Sequence, residues 1–139
     1  MSKKIIIIIL MFIALSVNSK EKSKFYEEGV KNFDRKLYEK AIIDFEKNIV
    51  RNPKDIRSYL YLSKIYKYKK NNDEFEKNLN TTLLLDPKNE EALYLLISKK
   101  ISDGDYDIAQ KKLQIFNQSC KTLCKKTNEL SQSLKKPKN

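Results

Sequence analysis

The 139-residue chain contains no histidine and no tryptophan. The missing histidine removes the commonest general base, the commonest metal ligand, and any Ser-His or Cys-His catalytic pair. Glycine occurs twice and proline three times, so helix breakers are scarce. No glycine-rich phosphate loop is present, and no paired carboxylates stand out from the charged background. Asp103-Gly104-Asp105-Tyr106-Asp107 looks like the opening of a calcium loop. Ile108 stands where that loop needs glycine, and Gln114 where it needs a bidentate glutamate. These absences point away from an enzyme, a metal site and a bound cofactor.

What is present is charge and helix former. Charged residues make up 34% of the chain, with opposite signs alternating, as on solvated helical faces. The length suits one domain with a core able to fold unaided.

Residues 1–19 read as a segment outside the fold. Met1-Ser2-Lys3-Lys4 is a short basic start, and Ile5 to Leu15 is an unbroken apolar run. Ser16, Val17, Asn18 and Ser19 supply small residues suited to cleavage after Ser19 or Ser16. The apolar run spans at most about 20 Å, short of the ~30 Å bilayer core. A cleaved secretory signal is therefore expected over 1–19, with a retained anchor as the alternative. The mature chain would be exported, to the periplasm or cell envelope. No cysteine near residue 20 suggests lipid attachment.

From Phe25 onward a fixed interval takes over. Pro53 and Pro87 sit in matching contexts 34 residues apart, and Tyr38-x-x-Ala41 returns as Tyr106-x-x-Ala109 two intervals later. Tyr59-x-x-Leu62-Ser63-x-x-Tyr66 carries aromatic, leucine, small residue and tyrosine at helical spacing. Phe25 with Gly29 repeats part of it, with Glu28 and Asn32 in place of leucine and tyrosine; Leu93 with Leu96 and Ile97 repeats it loosely. Ala41-x-x-x-Phe45 and Ala109-x-x-x-Leu113 carry a small residue, then a bulky one. This pattern resembles the tetratricopeptide repeat. The expected fold is an all-α, right-handed solenoid of about three helical hairpins plus a C-terminal cap.

The repeats should cover about 22–55, 56–89 and 90–120, with helices near 22–35, 38–51, 55–69, 72–85, 88–102 and 105–118. Pro53 and Pro87 end helices, Asp55 and Asn89 are suitable N-caps, and Gly104 suits a tight turn. Gly29, Ala41, Phe45, Leu62, Tyr66, Tyr106 and Ala109 complete the expected framework. Small residues let two helices approach while bulky ones fill the groove beside them. Phe75 stands where the small residue belongs, and should push its helix pair apart or rotate it.

Residues 121–139 are expected to form a capping helix, near 121–135, and a basic tail. Cys120, Leu123, Thr127, Leu130 and Leu134 make one narrow apolar stripe, suited to covering the last repeat. This stretch carries a net +5 of the chain's +11. Such charge suits an anionic membrane surface or an acidic partner; nucleic acid is not expected, for want of any recognition motif. Cys120 and Cys124 either form a disulfide or pack as two small apolar residues under the cap.

The resemblance also implies function: the first helices line a concave groove that holds a partner protein or peptide. Matched spacing assigns the groove to Tyr26, Val30, Phe33, Arg57, Leu60, Lys64, Lys67, Tyr68, Tyr94 and Ser98. Aromatic anchors ringed by cations suit apolar and acidic features. Tyr26 and Val30 occupy places where chaperone-binding members of the family carry polar clamp residues. A non-catalytic interaction scaffold of the bacterial cell envelope is the expected function. The alternative is a membrane-surface protein using its basic C-terminal helix.

Overall fold

A computed structural model describes residues 23–135. The expected signal segment and the last tail residues lie outside the described residues. Those described form seven α-helices and no strand. They are α1 Lys24–Asp34, α2 Tyr38–Arg51, α3 Ile56–Tyr68, α4 Asn72–Leu85, α5 Glu90–Asp103, α6 Tyr106–Ser119 and α7 Lys126–Lys135. Helices α1/α2, α3/α4 and α5/α6 pack as hairpins, α2 meets α3, α4 meets α5, and α7 covers α5 and α6.

The small residues act by contact. A Cβ built on Gly29 would stand 2.8 Å from Phe45 Cε1, so only glycine lets α1 lie this close to α2. Ala41 and Ala109 are fully buried at the matching places on second helices. Leu62, Leu96 and Leu130 are one interval apart, and all three are buried. Leu62 packs with Ala41, Ile42 and Phe45 of the preceding hairpin. Leu130 packs with Ala109, Leu113 and Phe116 in the same way. The cap thus occupies the place of a fourth first helix. Glu28 holds this position in α1, where no described hairpin precedes it, and Asn32 beside it donates to Asp44 at 2.7 Å. Polar residues suit that wet end.

The apolar core falls into two clusters. Ala41, Ile42, Phe45, Leu62 and Ile65 form one. Phe75, Leu79 and Leu83 of α4 join α5, α6 and α7 in the other. The α3/α4 hairpin therefore straddles the seam, and it also carries Ser58, Ser63, Asn78 and Thr82 buried. Phe75 is 3% exposed in the core shared with the next hairpin, with Tyr66 of α3 packed against the same cluster, and its bulk does not push the α3/α4 pair apart, contrary to expectation.

All three hairpin turns share one backbone plan. The N–H groups of Leu37, Asn71 and Asp105 donate to the carbonyls of Asn32, Tyr66 and Lys100. The residue before each donor is left-handed: Lys36 at φ 59°, Lys70 at φ 57° and Gly104 at φ 84°. Only glycine adopts this conformation without cost. Lys36→Gly and Lys70→Gly should each raise stability by about 0.5–1 kcal/mol, measured by urea unfolding. Gly104→Ala should lower it by about 1 kcal/mol.

The cap differs from expectation in one respect. Its helix begins at Lys126, not near residue 121, because residues 120–125 form a turn closed by a Cys120–Cys124 disulfide with Cα atoms 5.3 Å apart. Leu123, Leu130 and Leu134 face the core, while Thr127 donates its hydroxyl to Asn117 at 3.0 Å.

Candidate partner-binding face

The first helices form a continuous face, and side chains join each to the next. Between α1 and α3, the Arg57 guanidinium lies 4.0 Å from the centre of the Tyr26 ring. Between α3 and α5, Lys64 Nζ is 2.7 Å from Glu91 Oε1. Between α5 and α7, the Tyr94 hydroxyl donates to Glu129 at 3.2 Å. Spacing of 3.6 residues per turn brings Tyr26, Val30 and Phe33 to one side of α1, and Arg57, Leu60, Lys64, Lys67 and Tyr68 to one side of α3.

None of the ten expected groove residues is fully buried. Arg57, Lys67 and Tyr68 are exposed; Tyr26, Val30, Phe33, Leu60, Lys64, Tyr94 and Ser98 are half-buried. Tyr26 and Phe33 rest on an aromatic floor. Tyr61 stacks on Phe45 at 5.0 Å and meets the edges of Tyr26 and Phe33 at 6.1 Å and 5.0 Å. Burial, then the neighbouring Tyr61, pushes the Tyr26 phenol above its ordinary range. Lys64 lies over the Tyr61 ring and Lys67 over the Phe75 ring, at 5.0 Å and 6.0 Å. Leu60 and Tyr94 line an open cleft of about 550 Å³ with Glu91, Leu95 and Leu123. Ser98 is engaged locally, donating to the Tyr94 carbonyl at 2.8 Å. Tyr68 stands apart at the hairpin end, its ring 4.5 Å from that of Tyr38.

Beneath this face a polar knot ties the first hairpin to the second. Asp55 stands at the N-cap position of α3 without capping it. Its carboxylate instead accepts from Asn48 at 2.6 Å, Ser58 at 2.9 Å and Arg57 at 2.9 Å. Asn89, one interval on, caps α5 by accepting from the Ala92 N–H at 3.1 Å. The Asp55 hydrogen bond raises the Arg57 guanidinium further, so Arg57 stays cationic on the face.

The cap turn is held by Glu90. Its carboxylate accepts the backbone N–H groups of Lys121, Thr122 and Leu123 and the Thr122 hydroxyl. Desolvation pushes this carboxyl up, but the Leu123, Thr122 and Lys121 donors outweigh it and hold it at about 2, against 4.5 ordinarily. A depressed carboxyl stabilises the fold above its unfolded value and loses that contribution as pH falls through the folded one. Acidification from pH 4.5 towards 2 should therefore loosen the cap turn. Amide protection factors at Thr122 and Leu123, taken against the intrinsic exchange rate at each pH, should fall across that window, and should not in Glu90→Gln.

Sequence reading missed three of these features. Glu91 is one interval after Arg57 and was accessible from the period. Tyr61 and the Asn48–Asp55–Ser58 knot depend on contacts between helices that no spacing shows.

No family model and no curated protein sequence matches the chain. Solved structures do. The chain is similar to a yeast Sti1 structure described as a TPR2B-domain:pHsp70 complex, with a TM-score of 0.72 at 17% identity over 81% of this chain and 94% of that one. It is also similar to the Sgt2 TPR domain from Aspergillus fumigatus, with a TM-score of 0.66 at 17% identity over 86% and 87%. The chain therefore has the fold of a tetratricopeptide-repeat domain, an all-α right-handed solenoid of three hairpins closed by a capping helix.

Proposed function

We propose that this chain is a non-catalytic interaction scaffold, exported to a bacterial cell envelope, that grips a partner peptide on its first-helix face. One observation carries the reading. Aromatic and cationic side chains on α1, α3 and α5 stay accessible while the small and aliphatic residues beside them are buried. Rigid aromatics with a cationic surround are the residues that anchor partner chains. The Sti1 domain is described in a pHsp70 complex. Here Tyr26 and Val30 replace the polar clamp, so the partner is expected to present apolar and acidic side chains rather than only a terminal carboxylate.

The export signal at 1–19 rests on the basic start, the apolar run and the small residues that follow. No described helix is long and apolar enough to cross a membrane. The alternative, membrane attachment by the C-terminal helix, is weakened by its packing. Leu130 is 3% exposed, so the helix offers lipid only charge.

Photo-crosslinkers at Lys67 and Ser98, compared with one at Val50 on α2, test the groove. Val50 is 82% exposed and lies on α2, a second helix, outside the first-helix face. Adducts of one defined protein from the groove positions alone are the expected result. Equal adducts from Val50 would sink the proposal.

A further inference from the structure

The three hairpin turns share a backbone plan but not a charge. Equivalent positions one interval apart hold Arg35, Lys69 and Asp103, then Lys36, Lys70 and Gly104. The left-handed site is glycine in the third turn and lysine in the first two. Lysine is the less stable choice there. A residue kept in a disfavoured conformation motivates a search for function at that place.

These two turns lie side by side. The Tyr38 and Tyr68 rings are 4.5 Å apart, and Lys69 pairs with Glu39 across the turns. Arg35, Lys36 and Lys70 are exposed and form no ion pair among the described residues. Between the cations project Leu37, 42% exposed, and Tyr68, 67% exposed.

We propose that this edge, Arg35-Lys36-Leu37 with Tyr68-Lys69-Lys70, is a docking surface for an anionic lipid bilayer. Each basic residue near such a surface raises the affinity several-fold. Tyrosine and leucine favour the boundary between headgroups and acyl chains. A turn edge with cations around two projecting apolar groups suits a plane, which needs no shape complementarity. In the third turn Asp103 and Asp105 pair with Lys99 and Lys100, so it offers no such free cations and the contact is limited to one end of the solenoid. The edge shares only Tyr68 with the expected groove residues, and its free cations Arg35, Lys36 and Lys70 lie outside that set, so a failed groove leaves it standing.

The test compares full-length variants on phosphatidylcholine vesicles with and without about one-third phosphatidylglycerol. The parent should prefer the anionic vesicles, and the preference should weaken with salt. The Lys36→Gly/Lys70→Gly pair should lose about 10- to 30-fold of that affinity while unfolding at higher denaturant. Binding lost together with stability gained excludes misfolding as the cause. Leu37→Ser/Tyr68→Ser should weaken binding several-fold, and deleting residues 136–139 should leave the edge contribution. The proposal is overturned if the parent shows no anionic preference, if the double glycine variant binds unchanged or loses stability, or if only the tail deletion matters. Immobilised polyglutamate is the control for an acidic protein partner: loss of binding to it, with vesicle binding intact, overturns the lipid assignment.

Discussion

Phe45→Ala should lower stability by about 3–5 kcal/mol. The ring is fully buried, stacks on Tyr61 at 5.0 Å and meets Tyr26 at 6.0 Å, so its loss opens a cavity under the whole aromatic floor. Domains of this size are stable by only about 5–15 kcal/mol, so the loss is a large fraction of the total. Gly29→Ala tests the same contact from the other side. Its new Cβ would meet Phe45 Cε1 and Cδ1 at 2.8 Å and 2.9 Å. Overpacking of this kind costs about 1–3 kcal/mol. In a Phe45→Leu background the same change should be neutral or favourable, because alanine is better in a helix than glycine by about 1 kcal/mol. A double-mutant cycle by chemical denaturation should give a coupling above about 1 kcal/mol. Equal cost in both backgrounds would show that the ring does not require the glycine.

Asp55→Ala should be the next largest loss, about 2–4 kcal/mol. Asn48 and Ser58 are 1% and 0% exposed, and both donate to this carboxylate. Without it their donors lose an acceptor where water does not reach. Asn48 Nδ2 would keep only its second acceptor, Ser58 Oγ at 2.8 Å, while the Asn48 carbonyl oxygen already has no partner among the described residues. Asn89→Ala removes an equivalent residue that caps α5 and makes one long bond, to Asp86 at 3.3 Å, and should cost about 1 kcal/mol. Thermal melts of the two variants decide the matter. Equal losses would mean that Asp55 is a cap and nothing more.

Asp55 shows where sequence reading ends. Aspartate before a helix suggests a cap, and local pattern contains nothing to contradict that. The carboxylate turns inward because Asn48 on α2 and Ser58 on α3 present donors to it, and their meeting requires both helices in place. The left-handed lysines are a different case. Gly104 was readable as a turn, and stepping back one and two intervals reaches Lys70 and Lys36. The interval that revealed the hairpins therefore also carried the turn geometry.

Tyr94 marks a middle ground. Spacing assigns it to the first-helix face, where it stands half-buried, but its hydroxyl donates to Glu129 of the cap. The cap helix itself was foreseeable from its apolar stripe, whereas its start was not. The disulfide and the Glu90 carboxylate shorten it by holding residues 120–123 in a turn.

Helix count, hairpin division and the places of close approach were readable in residue order alone. They depend on a 3.6-residue periodicity, on prolines that end helices, and on one 34-residue interval, all properties of neighbouring residues or of repetition. The aromatic floor, the inward Asp55, the anchored cap and the two-turn basic edge came from packing. Each joins side chains from different helices, and their directions are set only when the hairpins stack.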